Sequence, residues 1–434
     1  MKSLLIYSHN TYRLENHRRV FAIANYLLDT FDDLSILLVS GSPMVQSFRG
    51  RHRLDYVKLP HLRRTEGDGY ASRFPNLDVM SVSRTRSEMI DAALHCFMPD
   101  LILVDKKPYG INNELALPLH DYKLMNPSAK IALMLRDIPD ESDAMRPGWT
   151  VNEYFDAIAA LYDTVLVLGS AGIYDLRTEY RLSATVAEKV RYCGYLYRQP
   201  APRTPDEVRA ELRIKEKERL VLVTAGCGED GYDLLNTYIE GIKGLPEKMR
   251  VRSLLVTGPD MPQPLRQSLH ELAAGCDEVS LMEFTDDLTS YMAAADLIVC
   301  MCGYNTISEL MSLKKQAIVV PRLKPFREQM IRAERLASFG QFTVVHPDDL
   351  EPQALAKMVL AKLNGDALLK SPSANHVEID GHDRLRSWVS ILFGMEATEY
   401  PALSRLRTPQ VHYPNGQTNG QTNEQTRTVR PYVS

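Results

Sequence analysis

The chain has 434 residues, more than one compact core accommodates, so we expect two domains. A composition of 44% apolar and 24% charged residues, with mean hydropathy −0.24, is that of a globular protein in water. The net charge of −4 excludes whole-molecule attraction to nucleic acid, and no window approaches the roughly 18 apolar residues that span a bilayer. The six cysteines show no zinc-ligand spacing, and several lie in apolar runs, so we expect reduced thiols and a cytoplasmic location.

Strand and helix patterns alternate through the first half of the chain. Apolar runs predict the strands, and helical spacing of apolar residues predicts the helices between them. The strands are predicted at 4–7, 34–39, 101–104, 131–135 and 164–168, and the helices at 17–29, 84–97 and 150–162. This alternation is typical of a parallel sheet with helices on both faces.

A segment rich in proline then interrupts the alternation and predicts a linker at 197–205, between an N-terminal domain at 1–196 and a C-terminal domain at 206–375. The second domain has predicted strands near 219–225, 251–257, 278–282, 296–301, 316–320 and 342–346. Its helices are predicted near 205–213, 231–243, 263–274, 303–313, 327–338 and 351–363. Two Rossmann-like domains joined in this way place a ligand cleft at the carboxyl ends of their strands.

The end of the chain divides into two parts. Apolar residues at helical spacing over 383–395 predict a C-terminal helix within the segment 376–400. Beyond about 407 the sequence is polar and repetitive, and it carries too little apolar surface to order. We therefore expect residues 408–434 to be disordered.

The stretch 301–309, Met-Cys-Gly-Tyr-Asn-Thr-Ile-Ser-Glu, is the most informative one. It follows an apolar strand and opens a helical pattern, so its turn exposes backbone N–H groups at the positive end of a helix dipole. Such a turn suits a pyrophosphate, with Gly303, Asn305 and Thr306 in contact range. Glu309, two turns into the helix, can accept hydrogen bonds from sugar hydroxyls. An ordinary strand-turn-helix with a capping Asn or Thr is the alternative interpretation.

A second small-residue turn, 224–231, carries Gly226, Gly228 and Gly231 after the first strand of the second domain. Glycines permit close approach of the backbone to a phosphate or sugar. No acidic residue closes the next strand, so a nucleotide-sugar site is favoured over a dinucleotide site. The alternative is an ordinary β-α turn without a ligand.

The pattern small-Gly-x-x-Thr-x-Ser-Glu at 302–309 resembles the donor-nucleotide signature of the MurG-like, family 28 glycosyltransferases. Two further patterns, Leu-Arg-Asp-Ile at 135–138 and Asp-x-x-Pro-x-Gly at 105–110, are similar to those of bacterial predicted glycosyltransferases. The resemblance covers roughly 1–365. It implies the α/β GT-B fold, in which two Rossmann-like domains face each other across a cleft and the C-terminal helix packs back on the N-terminal domain.

The resemblance also implies where a nucleotide-sugar donor binds. The turns at 226–231 and 302–306 would hold the pyrophosphate, Glu309 the ribose, and Phe284 lies where the family packs the donor base. Glu328 and Gln329 would contact the sugar, since a Gln offers both a donor and an acceptor to hydroxyl groups. A solvated amphipathic helix is the alternative for this last segment.

The first β-α loop, 8–19, departs from the family pattern. Related enzymes have a glycine-rich loop there, with a His that acts on the acceptor hydroxyl. In this chain Arg13 and Glu15 stand at expected glycines, and Asn16 stands at the expected His. His9 and His17 are the candidate bases that the loop retains.

Asp137, at the end of a predicted strand, is a third candidate base. It would serve if burial raised its pKa toward neutrality. A structural pair between Arg136 and Asp137 is the alternative.

Residues 49–64 form a basic segment whose only acid is Asp55. Such a segment can contact anionic lipid headgroups or a lipid-phosphate acceptor. A solvated loop is the alternative.

The resemblance therefore implies an inverting glycosyltransferase of the hexosyltransferase type. It would use a nucleotide-sugar donor, with a UDP-sugar favoured, and a hydroxyl acceptor, with lipid-linked acceptors among the candidates. The reaction would belong to polysaccharide or glycolipid synthesis. We expect no cofactor, no obligatory metal, no nucleic acid partner, and a cytoplasmic protein with peripheral contact at the inner face of the plasma membrane.

A nucleotide-sugar 2-epimerase on the same fold is one alternative, although the sequence does not identify the cleft carboxylates it needs. A non-catalytic nucleotide-sugar binder is another, because of the glycines missing at 13 and 15.

Overall fold

The computed structural model describes residues 1–9, 14–43, 45, 51–65, 69–139, 142–196, 201–324, 326–340, 342–365, 377 and 379–395. For residues 14–18, 64 and 142–146 it describes the backbone alone. Several sequence predictions fall wholly or partly outside these residues: the side chain of His17, residues 10–13 of the first loop, 49–50 of the basic segment, linker residues 197–200, the end of the second domain at 366–375, parts of the C-terminal segment 376–400, and the tail at 408–434.

The N-terminal domain is built on a seven-stranded parallel sheet and a separate antiparallel hairpin. The strands are β1 (Lys2–Ser8), β2 (Leu34–Ser40), β3 (Leu54–Lys58), β4 (Leu62–Arg64), β5 (Tyr70–Ser72), β6 (Leu101–Asp105), β7 (Lys130–Arg136), β8 (Thr164–Leu168) and β9 (Val190–Tyr192). In the sheet their order is β3-β2-β1-β6-β7-β8-β9, and β4 pairs with β5 in the hairpin. Strands β6 and β8 are buried along their whole length, as expected for parallel strands covered by helices on both faces.

Seven helices surround this sheet in the described part of the domain. They are α1 (Leu14–Thr30), α2 (Val79–Phe97), α3 (Ala116–Met125), α4 (Ser142–Val151), α5 (Tyr154–Leu161), α6 (Leu176–Glu179) and α7 (Ala184–Ala187). The single helix predicted at 150–162 is wrong, because the chain breaks between α4 and α5. Glu153 takes a left-handed conformation there, with φ of 55°, which no helix continues through.

The C-terminal domain repeats the same architecture with six parallel strands. They are β10 (Leu220–Thr224), β11 (Arg252–Val256), β12 (Val279–Met282), β13 (Leu297–Cys300), β14 (Ala317–Val319) and β15 (Thr343–Val344), in the order β12-β11-β10-β13-β14-β15. Its helices are α8 (Pro205–Glu211), α9 (Tyr232–Lys243), α10 (Gln263–Ala273), α11 (Leu288–Ala294), α12 (Tyr304–Leu313), α13 (Glu328–Ser338) and α14 (Pro352–Leu363). Strand order reverses between β10 and β13, and between β1 and β6 in the first domain, which are the positions where such sheets bind ligands.

The last described helix, α15 (Gly381–Leu392), returns to the N-terminal domain, as predicted for the GT-B fold. The Tyr26 hydroxyl of α1 donates to Asp383 Oδ1 at 2.7 Å. The Lys2 ammonium donates to the carbonyl of Phe393 at 2.9 Å. The end of the second domain is thereby attached to the first two elements of the chain.

Two cations of the basic segment 49–64 are used inside the N-terminal domain. Arg51 pairs with Asp29 of α1, and Arg53 donates to the carbonyls of Phe31 and Leu34 at 2.9 and 3.2 Å. Among the described residues no helix is both long and apolar enough to cross a bilayer. Contact of this segment with a membrane therefore stays a prediction. Fewer of its cations are available to bind lipid headgroups than the sequence suggests.

The attachment of α15 is testable with two substitutions on that helix. Leu385 is fully buried in the apolar cluster that includes Ile23 and Leu27 of α1, whereas Ile391 is 43% exposed. We expect Leu385→Ala to lower the free energy of unfolding by about 2–5 kcal/mol, because it leaves a cavity, and Ile391→Ala to change it by less than about 1 kcal/mol. Urea denaturation followed by circular dichroism measures both. Equal effects would contradict the described packing of α15.

Candidate functional site

A cleft with about 170 Å³ of free space lies between the two sheets, at the carboxyl ends of their strands. The N-terminal wall comes from α1 and from the ends of β6 and β7 with the residues that follow them. The C-terminal wall comes from the turns after β10, β13 and β14. Each domain thus contributes the edge at which a parallel sheet of this type binds ligands.

Six of the predicted donor-site residues line this cleft: Gly226, Gly303, Asn305, Thr306, Glu328 and Gln329. Gly303 is the N-cap residue of α12 and supplies no side-chain hydrogen bond to the helix end. The helix N-terminus therefore opens onto the cleft with its backbone donors and its partial positive charge. This is the feature that the 301–309 pattern predicts.

The glycines of the 224–231 turn divide into two groups. Gly226 lines the cleft, with φ of 67°. A Cβ on Gly228 would lie 2.1 Å from the carbonyl oxygen of Thr257, and one on Gly231 would lie 2.0 Å from the Cβ of Ala225. Gly228 and Gly231 do not line the cleft, so the structure gives them a packing role in place of the predicted ligand contact.

Arg322, which the sequence analysis did not single out, joins the turn after β10 to the start of α13. Its guanidinium contacts Asp230 Oδ2 at 3.1 Å and Glu328 Oε1 at 2.5 Å. The other oxygen of Glu328, Oε2, is buried and has no hydrogen-bond partner among the described residues. Since a buried carboxylate oxygen without a partner is costly, this atom is a candidate acceptor for a ligand hydroxyl.

Gln329 fixes the turn at 302–306, which we call the donor turn, from the C-terminal side of the cleft. Its Oε1 accepts from the backbone N–H of Cys302 at 3.1 Å and of Arg322 at 3.3 Å. The amide oxygen is therefore already used, and the amide NH₂ is the part of Gln329 that remains suited to a sugar oxygen.

A buried group of three side chains connects the two domains at the side of the cleft, and we call Asp137, Tyr195 and Arg332 the interdomain cluster. Arg332 of α13 donates from Nε to Asp137 Oδ2 at 2.7 Å and from Nη2 to Asp137 Oδ1 at 2.8 Å. Its Nη1 donates to the carbonyl of Cys302 at 2.7 Å, and Tyr195 donates to Asp137 at 2.9 Å. Through Arg332, the N-terminal domain reaches the donor turn.

These contacts argue against Asp137 as a general base. Both of its oxygens accept from Arg332, and the backbone N–H of Ile138 donates to Oδ1 as well. Hydrogen bonds to the charged form stabilise a carboxylate and make it a weak base. Burial raises the pKa of Tyr195 and the Asp137 charge raises it further, so the phenol stays a hydrogen-bond donor. The partner of Asp137 is Arg332 of the other domain, and not Arg136 as the sequence alternative held.

Three further candidates are not among the residues that line the cleft. His9 is 5% exposed, and its Nε2 lies 3.2 Å from the hydroxyl of Tyr70. Glu309 is 7% exposed on α12, and Phe284 is 43% exposed after β12. None of the three lines the cleft, so their predicted contacts with a ligand are not supported by this arrangement.

The cleft also contains residues that the sequence analysis missed, among them Arg19, Trp149, Arg322 and Arg332. One signal was available for Arg332, which lies one helical turn after Gln329 and so shares its face of α13. Arg19 had none, because a buried arginine and an exposed one look alike in a helical pattern. Only the neighbouring domain makes it a cleft residue.

The packing role of Gly228 is testable against a second glycine. Gly228 and Gly275 both have positive φ, 92° and 77°, but a Cβ on Gly275 would meet no atom within 4 Å. We expect Gly275→Ala to cost about 1–2 kcal/mol from left-handed strain alone, and Gly228→Ala to cost clearly more, because its methyl group meets the backbone of Thr257. Thermal unfolding of the two variants measures the difference. Similar losses would contradict the close approach.

The interdomain cluster is testable through the thiol of Cys302. Burial raises the pKa of this thiol to about 12, so at pH 8 it is protonated and shielded, whereas Cys96 is exposed. We expect Asp137→Asn to cost about 3–5 kcal/mol, because Arg332 loses its charged partner, and to increase iodoacetamide labelling of Cys302. Labelling is measured by peptide mass spectrometry, with Cys96 as the internal reference.

Glu179→Gln is the matched control for that experiment. Glu179 forms a second interdomain pair among the described residues, with Arg335 at 2.8 Å, but both side chains are substantially exposed, at 30% and 49%. An exposed pair contributes at most about 1 kcal/mol, so this variant should leave Cys302 protected. Equal labelling in the two variants would show that the interdomain cluster does not hold the donor turn.

Comparisons with known proteins give the same assignment as the motifs. Residues 220–385 match the glycosyltransferase family 28 C-terminal domain. A Haemophilus influenzae relative, a UDP-N-acetylglucosamine–N-acetylmuramyl-(pentapeptide) pyrophosphoryl-undecaprenol N-acetylglucosamine transferase, is 26% identical over 46% of this chain and 53% of its own length. The chain spans about half the length of the curated relatives it matches.

Two solved structures show the extent of the fold. MurG from Acinetobacter baumannii superposes with a TM-score of 0.57 at 11% identity, over 90% of this chain and 100% of its own. A UDP-N-acetylglucosamine 2-epimerase gives 0.60 at 14% identity, over 96% and 99% of the two chains. The GT-B prediction is confirmed by these superpositions, and the family prediction by the match of the second domain. The chain has the GT-B fold, and residues 220–385 of its second domain match the glycosyltransferase family 28 C-terminal domain.

Proposed function

We propose that this protein is a glycosyltransferase, which takes a sugar from a nucleotide-sugar and transfers it to a hydroxyl acceptor. The observation that carries the proposal is the N-terminus of α12, which opens without a side-chain cap onto the cleft, in a family 28 domain. The N–H donors and partial positive charge of such a helix end bind anions, among them the phosphates of a nucleotide-sugar. The acceptor would enter from the N-terminal wall.

In this proposal, different residues of the C-terminal wall contact different parts of the donor. The end of α12 and the backbone at Gly226 hold the diphosphate, while Glu328 Oε2 and the Gln329 amide NH₂ contact the sugar hydroxyls. Charge builds up on the leaving diphosphate as the bond to the sugar breaks, and fixed donors at that position lower the barrier. The proposal needs no metal ion for this step, and transfer should therefore persist in EDTA.

The acceptor hydroxyl must lose a proton during transfer, and attack from the face opposite the diphosphate inverts the anomeric carbon. His9 and His17 remain candidate bases from the sequence, although His9 lies outside the cleft. Asp137 is not proposed for this role, because Arg332 occupies both of its oxygens.

The Haemophilus relative is, by its name, a transferase with a UDP-N-acetylglucosamine donor and a pyrophosphoryl-undecaprenol acceptor. We therefore propose a UDP-sugar as the first donor to test and a lipid-linked alcohol as the first acceptor, which would place the reaction at the inner face of the membrane in envelope synthesis. The identity is 26% over about half of that relative, so the support extends to the class of compound and no further.

The 2-epimerase alternative has one observation in its favour. The cleft contains four carboxylates, Asp105, Glu229, Asp230 and Glu328, which the sequence analysis had not identified as a set. Three of them are already paired with arginine, Asp105 with Arg19, and Asp230 and Glu328 with Arg322. Carboxylates held in ion pairs are better suited to positioning than to moving protons, so glycosyl transfer is the favoured function.

Donor binding is testable by filling the cleft beside α12. A Cβ on Gly303 would meet only Thr306 Oγ1, at 3.9 Å, so Gly303→Val should fold normally while occupying the diphosphate position. We expect at least about a ten-fold loss of affinity for UDP and UDP-sugars, measured by calorimetric titration, because the helix-end donors become inaccessible. Gly172→Val, where the nearest atoms are also 3.7 Å or more away, lies outside the cleft and is the matched control.

Absence of binding by all UDP-, GDP- and dTDP-sugars tested would overturn the proposed donor site. Incubation of the unsubstituted protein with UDP-N-acetylglucosamine alone separates the two enzyme classes. Epimerisation at C2, seen by proton NMR without any acceptor, would replace the transferase proposal with the epimerase. Binding without turnover against a broad acceptor panel would favour the non-catalytic binder.

A further inference from the structure

The loop after β1 lacks the glycines with which related enzymes bring backbone close to a ligand. Directly after that loop, α1 carries Arg19 into the N-terminal wall of the cleft. Among the described residues, four basic side chains line this wall, Arg19, Lys106, Lys107 and Arg136, together with one acidic side chain, Asp105. The wall that faces the donor turn is therefore basic.

Arg19 is the buried member of this basic wall, with 4% of its surface exposed. Its Nη2 donates to Asp105 Oδ1 at 2.7 Å, and the two side chains are each 3% exposed. Its Nε and Nη1 are also buried, and they have no hydrogen-bond partner within the described part of the chain. Buried donors without partners cost free energy, and a ligand that brings an acceptor recovers that cost.

The helix end and the arginine belong to the same cleft. Arg19 lines it from the first domain, and Gly303, Tyr304 and Thr306 line it from the second. Burial raises the pKa of the Tyr304 phenol and the Asp137 charge raises it further, while the Arg19 charge from the other wall lowers it. An anion between the two walls would thus meet donors from both sides.

We propose that Arg19 forms the second half of the diphosphate site, opposite the N-terminus of α12. This inference rests on the proposed donor function and adds to it a contact from the acceptor domain. Guanidinium groups donate several N–H bonds to phosphate oxygens, and the Nε and Nη1 donors of Arg19 have no partner among the described residues after its Nη2 contact with Asp105. Asp105 fixes the orientation of the guanidinium, and the ligand takes the remaining donors.

The consequence for catalysis is that closure of the two domains completes the leaving-group site. As the acceptor oxygen forms its bond to the anomeric carbon, the electron pair of the broken C–O bond passes to the diphosphate oxygen, and the acceptor proton passes to a base. Arg19 and the end of α12 together stabilise that diphosphate charge. A donor bound to the C-terminal domain alone would lack half of these contacts.

The test compares UDP with uridine in calorimetric titrations of the full chain. We expect Arg19→Met to raise the Kd for UDP about ten-fold or more, with the Kd for uridine changed less than about two-fold, because only UDP carries the diphosphate. Arg19→Lys should recover part of the affinity, since it restores the charge without the paired donors. Arg84→Met is the matched control, an exposed arginine of the same domain that pairs with Glu88.

A fold control accompanies these variants, because Arg19→Met leaves Asp105 buried without its partner. The double variant Arg19→Met with Asp105→Asn removes both charges and should show the same loss of UDP affinity. An unchanged Kd for UDP would overturn the inference, and so would an equal loss for UDP and uridine, which would indicate general distortion.

Failure of the proposed function gives a different result from failure of this inference. If the unsubstituted protein binds no nucleotide, the donor proposal fails, and inorganic pyrophosphate becomes the probe of the anion site. Weaker pyrophosphate binding by Arg19→Met would then support the two-walled site, and unchanged or absent pyrophosphate binding would overturn it. If UDP binds and only Gly303→Val weakens it, the donor site stands and the Arg19 contact is wrong.

Discussion

Asp137 and Arg332 lie 195 residues apart in the chain and form a buried, two-point ion pair that joins the domains. Arg332 also holds the carbonyl of Cys302, and Gln329, three residues earlier on the same helix, holds its N–H. The donor turn is thereby fixed on both sides from α13, and α13 is fixed to the first domain. The position of each cleft residue depends on this connection.

A buried ion pair contributes little net stability compared with apolar residues of the same size, but its geometry is exacting and one partner alone is costly. That property suits a connection between two domains that must meet in one orientation. Tyr195 adds a hydrogen bond to Asp137, and its ring stacks on that of Tyr304 at the start of α12, with centroids 5.9 Å apart. The cluster therefore aligns the basic N-terminal wall with the helix end that faces it.

Strands and turns whose residue pattern lies within one short segment are predicted correctly from the sequence. The fully buried strands β6, β8 and β10 appear as unbroken apolar runs, and the turn before α12 appears as small residues between a strand and a helix. The short strands β3, β4, β5 and β9 were missed, because three to five residues with mixed exposure give no clear periodicity. The break at Glu153 was missed as well, since no glycine or proline marks it.

The sequence by itself determined two α/β domains, the GT-B resemblance and the donor-side turn of Gly303, because each depends on residues close together in the chain. Only the tertiary structure decided the partner of Asp137, the packing role of Gly228, and the burial of Arg19 with two donor nitrogens that have no partner in the described part of the chain. These depend on contacts between elements far apart in the chain. A single sequence states the residue type at each position, but the neighbour that satisfies its charge or hydrogen bonds is set by how the sheets and domains pack.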